Sequence, residues 1–122
     1  MKILYKNKKI DVNVRSVGLF GRFSGLMFRT KETSNLLFEF NHDVSMAIHS
    51  FFVSFDFLAL WLDEKNKVIG WKIVKPFTVA VKPKKRFRKL VEIPFNNGNR
   101  AILRFFVGKL NFCEIPRGAC PF

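Results

Sequence analysis

The chain has 122 residues, 48% of them hydrophobic, with 22 Lys and Arg against 9 Asp and Glu for a net charge of +13. That length suits one domain, residues 1–122, with a core of its own, and the hydrophobic share excludes a disordered tail. The charge points to anionic partners (nucleic acid, phosphorylated metabolites or acidic lipid surfaces) without choosing among them.

Taken in order, the N-terminus M-K-I-L-Y-K-N-K-K carries no apolar segment after its charges, which places the protein in the cytoplasm. Ile3-Leu4-Tyr5 and the alternating Ile10 to Val14 read as short strands, with Lys6 to Lys9 as the turn between them. In residues 18–29, Leu19, Phe20, Phe23, Leu26 and Met27 follow three- and four-residue spacing, so a short helix is expected there. Gly18, Gly21 and Gly25 loosen it and allow close packing on a sheet. Leu36 to Phe40 reads as a strand and Asn41 to Ser45 as a loop containing His42.

The most apolar stretch runs from Phe51 to Leu62, broken only by Ser54 and Asp56. It is shorter than the ~20 apolar residues of a membrane span. Phe, Val and Trp favour strands, so a central strand with at most a kink is expected. Odd positions would line one face and even positions the other, both covered.

Asp63 to Lys67 is a polar turn, and Val68 to Val74 is a strand returning antiparallel. Pro76 and Pro83 bracket an edge-like segment, Phe77 to Val81. Lys89 to Phe95 is a further strand. Asn96-Asn97-Gly98-Asn99 suits a tight hairpin turn, which makes Arg100 to Phe112 the returning strand, with a bend at Val107-Gly108-Lys109. Residues 113–122 read as an irregular tail. The expected fold is mainly β (α+β), a small β-barrel or closed sandwich of seven or eight short strands with one short helix.

Three groups of residues offer chemistry. Asp56 lies amid Phe residues, and a buried carboxylate needs a partner, for which Arg22 and Arg29 are candidates. Such a group is either an ion pair tying helix to sheet or the polar floor of a ligand pocket for a small anion. In one straight strand His49 and Asp56 are too far apart to share a site, and His49 would fall opposite Asp63 only if the chain doubled back at Asp56, so Asp56 and His49 are catalytic candidates of the second rank. The run Lys82 to Lys89 carries Lys82, Lys84, Lys85, Arg86, Arg88 and Lys89 with Phe87 among them. It reads either as a solvated edge that guards the sheet or as an anion-binding site that contacts phosphates and stacks a base.

Cys113 and Cys120 lack zinc-ligand spacing; a disulfide and two free thiols both stay open. Phosphate-binding glycine loops, the nucleophile-elbow motif and His/Cys metal clusters are all lacking from the sequence, so no cofactor is indicated.

Two signatures carry a resemblance. Gly25-Leu26-Met27-Phe28-Arg29 is one; Ile48-His49-Ser50-Phe51-Phe52-Val53 followed by Trp61-Leu62-Asp63 is the other. Val68-Ile69, Lys75-Pro76, Pro83-Lys84-Lys85 and Val91-Glu92-Ile93-Pro94 follow in order. Together they resemble the archaeal form of the uncharacterised family called domain of unknown function 192, from about residue 10 to about residue 112. The resemblance implies a small β-rich domain with a short helix near Gly25 and no established activity. The chain departs from the family at Ser24, where Arg is usual, at Asp56, where Pro is usual, and at Leu58, where Asp is usual. Any role tied to that acidic position therefore rests here on Asp56, which shares a strand face with position 58.

The reading that follows is a non-catalytic binding module with a basic surface for nucleic acid or another polyanion. The alternatives are an enzyme on a small anionic substrate using Asp56 with Arg22 or Arg29, and a docking domain using exposed Phe. A homodimer is compatible with the surplus of Phe; a membrane span is not expected.

Overall fold

The computed structural model describes residues 1–16, 33–48, 50, 53–78 and 80–108. Seven strands lie among them: β1 Lys2–Tyr5, β2 Lys8–Asp11, β3 Arg15–Ser16, β4 Leu36–Val44, β5 Phe57–Leu62, β6 Val68–Val74 and β7 Phe87–Pro94. A 3-10 turn at Asn97–Asn99 leads into helix α1, Arg100–Val107. The helix expected at 18–29 and the cysteine-bearing tail lie outside the described residues.

β1 and β2 pair as an antiparallel hairpin. Its turn is two residues, Lys6 and Asn7, with φ of 48° and 64°. Both lie in the left-handed region that a tight two-residue hairpin requires. The other strands form one sheet in the order β3-β4-β7-β5-β6. β3 is parallel to β4, and the remaining neighbours are antiparallel. Among the described residues the sheet stays open, so the fold is mainly β and sandwich-like, without a closed barrel. No helix among them is long and apolar enough to cross a membrane.

β5 is the core strand that the apolar stretch promised, hydrogen-bonded to β6 on one side and β7 on the other. All six of its residues are buried. Leu58, Leu60 and Leu62 point into one core, which the hairpin and α1 complete with Ile3, Val12, Ile102, Leu103 and Phe106. Phe57, Ala59 and Trp61 point into a second core, with Leu36, Phe38, Val53, Phe55 and Phe87. At about 25 cal/mol per Å² of apolar area, each buried Leu, Ile, Val or Phe among these contributes ~1.5–3 kcal/mol.

The strand starts only at Phe57, so the run is neither one long strand nor a hairpin at Asp56. Ser50 explains the difference. Its backbone N–H donates to Thr78 O at 3.0 Å and its carbonyl accepts from Phe77 and Val53. Its hydroxyl donates to the Lys75 carbonyl and accepts from the Thr78 N–H at 2.6 Å. These bonds hold the chain against the turn after β6 and divert it from the ladder. Val53 and Phe55 still enter the core, while Ser54 is exposed.

Three other expectations change. β4 continues through the anticipated loop to Val44, taking up a register shift between Glu39 and Val44 against β7. Of the edge segment Phe77 to Val81, the described residues give an isolated bridge of Val81 with Ile48; Pro76 and Phe77 form a turn, with Phe77 at φ 59°. Asn96 to Asn99 makes no hairpin. The Asn96 side chain accepts the Asn99 N–H at 3.1 Å, capping the 3-10 turn. Helix α1 replaces the returning strand because Ile102, Leu103 and Phe106 sit at helical spacing and bury against the leucine face. The expected bend at Gly108 is the end of that helix, where φ is 76° and the N–H still reaches Arg104 O at 2.8 Å.

Candidate functional site

The basic run is a loop followed by the start of β7. Lys82, Lys84, Lys85 and Arg86 are exposed, and none of them makes an ion pair among the described residues. The loop is anchored at both ends. At one end Val81 is buried and exchanges two backbone hydrogen bonds with Ile48, each 2.8 Å, and Pro83 lies near Gly70 of edge strand β6. At the other end Phe87 is 1% exposed and meets Phe40 and Trp61 edge-on, at 5.9 and 6.4 Å between ring centroids.

Burial of Phe87 corrects the stacking expectation, since the ring belongs to the core and cannot take a base. An aromatic among basic residues was a poor guide here because Phe87 opens β7, opposite Val44 at the irregular end of β4. Arg88 turns to Asp43 at 3.2 Å. Lys89 donates to the Asn66 side chain, beside Lys65 and Lys67 in the turn between β5 and β6. The strand register thus brings loop 82–86 and turn 63–67 to one end of the sheet. Basic side chains outnumber acidic ones there.

Asp56 does find a cation, but it is Lys75, at 2.8 Å. The two residues flank the paired ends of β5 and β6, Phe57 and Val74. The Asp56 carboxylate is 10% exposed and the Lys75 ammonium side chain 64%. This is a pin across strand ends, and Asp56 does not line the polar cleft described below. Arg22, Arg29 and His49 lie outside the described residues. Among the described residues, no group of three or more His, Cys, Asp and Glu could hold a metal ion. Among the described residues, Phe77 is exposed, at 62%.

Sequence reasoning passed over two polar features of the interior. Glu92 on β7 stands opposite Leu36 of β4 and Ala59 of β5, on the aromatic face, and is 6% exposed. Burial pushes its carboxyl up to about 8, so it stays protonated at neutral pH. The signal was in the sequence: within Leu90 to Ile93, alternation sets Glu92 beside Leu90, away from Val91 and Ile93.

The second is a chain of asparagines. Asn99 Nδ2 donates to Pro94 O at 2.8 Å. Asn35 Nδ2 donates to Asn99 Oδ1 at 2.9 Å and to Asn13 O at 2.8 Å. Asn35, Asn96 and Asn99 are all buried. They border a cleft of about 330 Å³ lined also by Asn13, Arg15, Ser34 and Gly98. Because Asn35 and Asn99 are 64 positions apart, nothing local in the sequence pairs them.

No family model and no curated protein matches the chain. Two solved structures are similar. One, a candidate transcription regulator from Sinorhizobium meliloti 1021, has a TM-score of 0.67 at 14% identity over 76% of this chain and 77% of that one. The other, a protein of unknown function from Novosphingobium aromaticivorans DSM 12444, has a TM-score of 0.67 at 12% identity over 81% and 74%. Both likenesses concern the fold.

Proposed function

We propose that the protein is a cytoplasmic, non-catalytic binding module that takes a polyanion, nucleic acid first, on the basic end of its sheet. The observation that carries this reading is the anchored loop. Lys82, Lys84, Lys85 and Arg86 project into solvent from a segment held at its ends by buried Val81, bonded to Ile48, and by buried Phe87. Anchoring limits the entropy lost when the loop meets a ligand. The net charge of +13 adds long-range attraction. With Phe87 in the core, recognition rests on phosphates, so sequence preference should be slight and duplex should bind as well as single strands.

The likeness to a candidate transcription regulator is compatible with this reading and adds only the fold. The resemblance to domain of unknown function 192 belongs to the same proposal and rests on its sequence blocks alone. An enzyme built on Asp56 has less support, because Lys75 already occupies that carboxylate.

The test is fluorescence anisotropy with a labelled duplex and a labelled single strand at ~0.15 M salt. Replacing Lys82, Lys84, Lys85 and Arg86 with alanine should weaken both at least ~10-fold. Equal affinity of the variant and the parent protein would defeat the assignment to this loop.

A further inference from the structure

The sheet ends at β6, which pairs with β5 on its inner side. On its outer side β1 begins to add a strand and then stops. The Leu4 N–H donates to Asn66 O at 2.9 Å, and Leu4 forms an isolated parallel bridge with Lys67. The chain then turns away at Lys6 and Asn7 into β2. Beyond that turn, among the described residues, Ile69 to Val74 make no backbone hydrogen bond outside the ladder with β5. Ile69 to Ile73 all keep some exposure. A strand points half of its N–H and C=O groups to each side, so the outer groups of this stretch are a template for a further strand.

The slot beside β6 has a chemical character. Trp71 and Ile73 lie half-buried on the side of the hairpin and α1. Trp71 Nε1 donates to the Tyr5 hydroxyl at 3.2 Å, and the Lys6 ammonium stands 5.4 Å from the centre of the Tyr5 ring. Lys72 is exposed and, by period two, belongs to the opposite face. Neither Lys6 nor Lys72 makes an ion pair among the described residues. From Lys65 to Val91 the sequence holds no Asp or Glu. A second copy of β6 would therefore bring Lys67 and Lys72 against other cations, which guards the edge from self-pairing. A strand that alternates acidic and apolar residues meets the opposite condition on each face, with carboxylates beside Lys72 and apolar groups beside Trp71 and Ile73.

We propose that the outer edge of β6 takes an extended acidic segment of a partner protein as an added strand. The site rests on the sheet edge and does not depend on the polyanion reading of loop 82–86.

The experiment is a ¹⁵N–¹H correlation titration of the full chain with an end-blocked peptide of four Glu-Val repeats. Peptides of four Lys-Val repeats and four Glu-Pro repeats are the controls. The Glu-Pro peptide keeps the charge but lacks every second backbone N–H, so it cannot complete a ladder. The Glu-Val peptide should move the backbone amides of Ile69 to Val74 at up to about 2 mM, and the two controls should bind at least about tenfold more weakly. Lys72→Glu leaves the ladder with β5 intact; it should weaken the Glu-Val peptide about fivefold and strengthen the Lys-Val peptide by a similar factor. Alanine at Lys82, Lys84, Lys85 and Arg86 should leave the shifts in β6 within about threefold of the same affinity. No movement in Ile69 to Val74, movement confined to loop 82–86, a Glu-Pro peptide that binds as well, or a Lys72→Glu protein with unchanged preference would each overturn the proposal. Movement of the same amides with protein concentration alone would show self-pairing and overturn the choice of partner.

Discussion

Replacing Glu92 with Gln probes the most unusual group in the interior. The carboxyl titrates at about 8 in the folded protein against 4.5 as its ordinary value. Across that window the folded protein holds a proton that the unfolded chain has released. Stability from this group is therefore fully present below pH ~4.5 and falls as pH rises, until the folded carboxyl itself ionises near pH 8. Each pH unit carries ~1.36 kcal/mol, so the roughly three and a half units amount to ~5 kcal/mol, of which ~3 kcal/mol is already lost at pH 7. Glutamine has the same shape and no such titration. It brings a different hydrogen-bonding demand, which offsets its stability by a constant at every pH. The measurement is urea unfolding from pH 5 to 9, followed by the fluorescence of buried Trp61. The parent protein minus Glu92→Gln should slope downward by about 1 kcal/mol per pH unit between pH 5 and pH 8. Two parallel stability profiles would show that Glu92 is not held protonated, and the reasoning from its burial would fail.

Other substitutions separate packing from pinning. Leu60→Ala, at the fully buried centre of β5, should cost ~2–5 kcal/mol in urea denaturation. Ser50→Ala removes the acceptor of the Thr78 N–H and the donor to Lys75 O, and should cost ~1–3 kcal/mol by the same assay. Asp56→Asn should shift the urea midpoint little, by under ~1 kcal/mol, because Lys75 is 64% exposed and solvent screens the pair; a loss well above that would mean the carboxylate has a further role.

The parts of the fold legible in the sequence are those decided by local pattern. β5 could be placed because its six residues are apolar on both faces, and a strand covered on both faces has no other way to satisfy them. Its even and odd positions divide between two cores as period-two geometry requires. The C-terminal segment was misread because Asn-Gly serves a tight turn and a helix entry equally well. There the helical spacing of Ile102, Leu103 and Phe106 was the better evidence. The first half of the apolar run could not be read locally, since Ser50 leaves the ladder through bonds to a turn 25 and 28 residues away. Of the site, the exposed cations of loop 82–86 were visible as composition. Burial of Phe87 was not, because it depends on where β4 and β7 slip. Asn35 and Asn99 meet only in three dimensions, where the Asn35 amide donates to Asn99 Oδ1.

The salt dependence of nucleic-acid binding tests the central claim most directly. Four phosphate contacts from Lys82, Lys84, Lys85 and Arg86 predict a slope of log affinity against log salt of about −3.6 for duplex DNA. Between ~50 and ~200 mM salt the affinity should fall ~150-fold. The quadruple alanine protein should lose most of that slope along with its affinity. A slope near zero, or one that the four substitutions leave unchanged, would contradict the account.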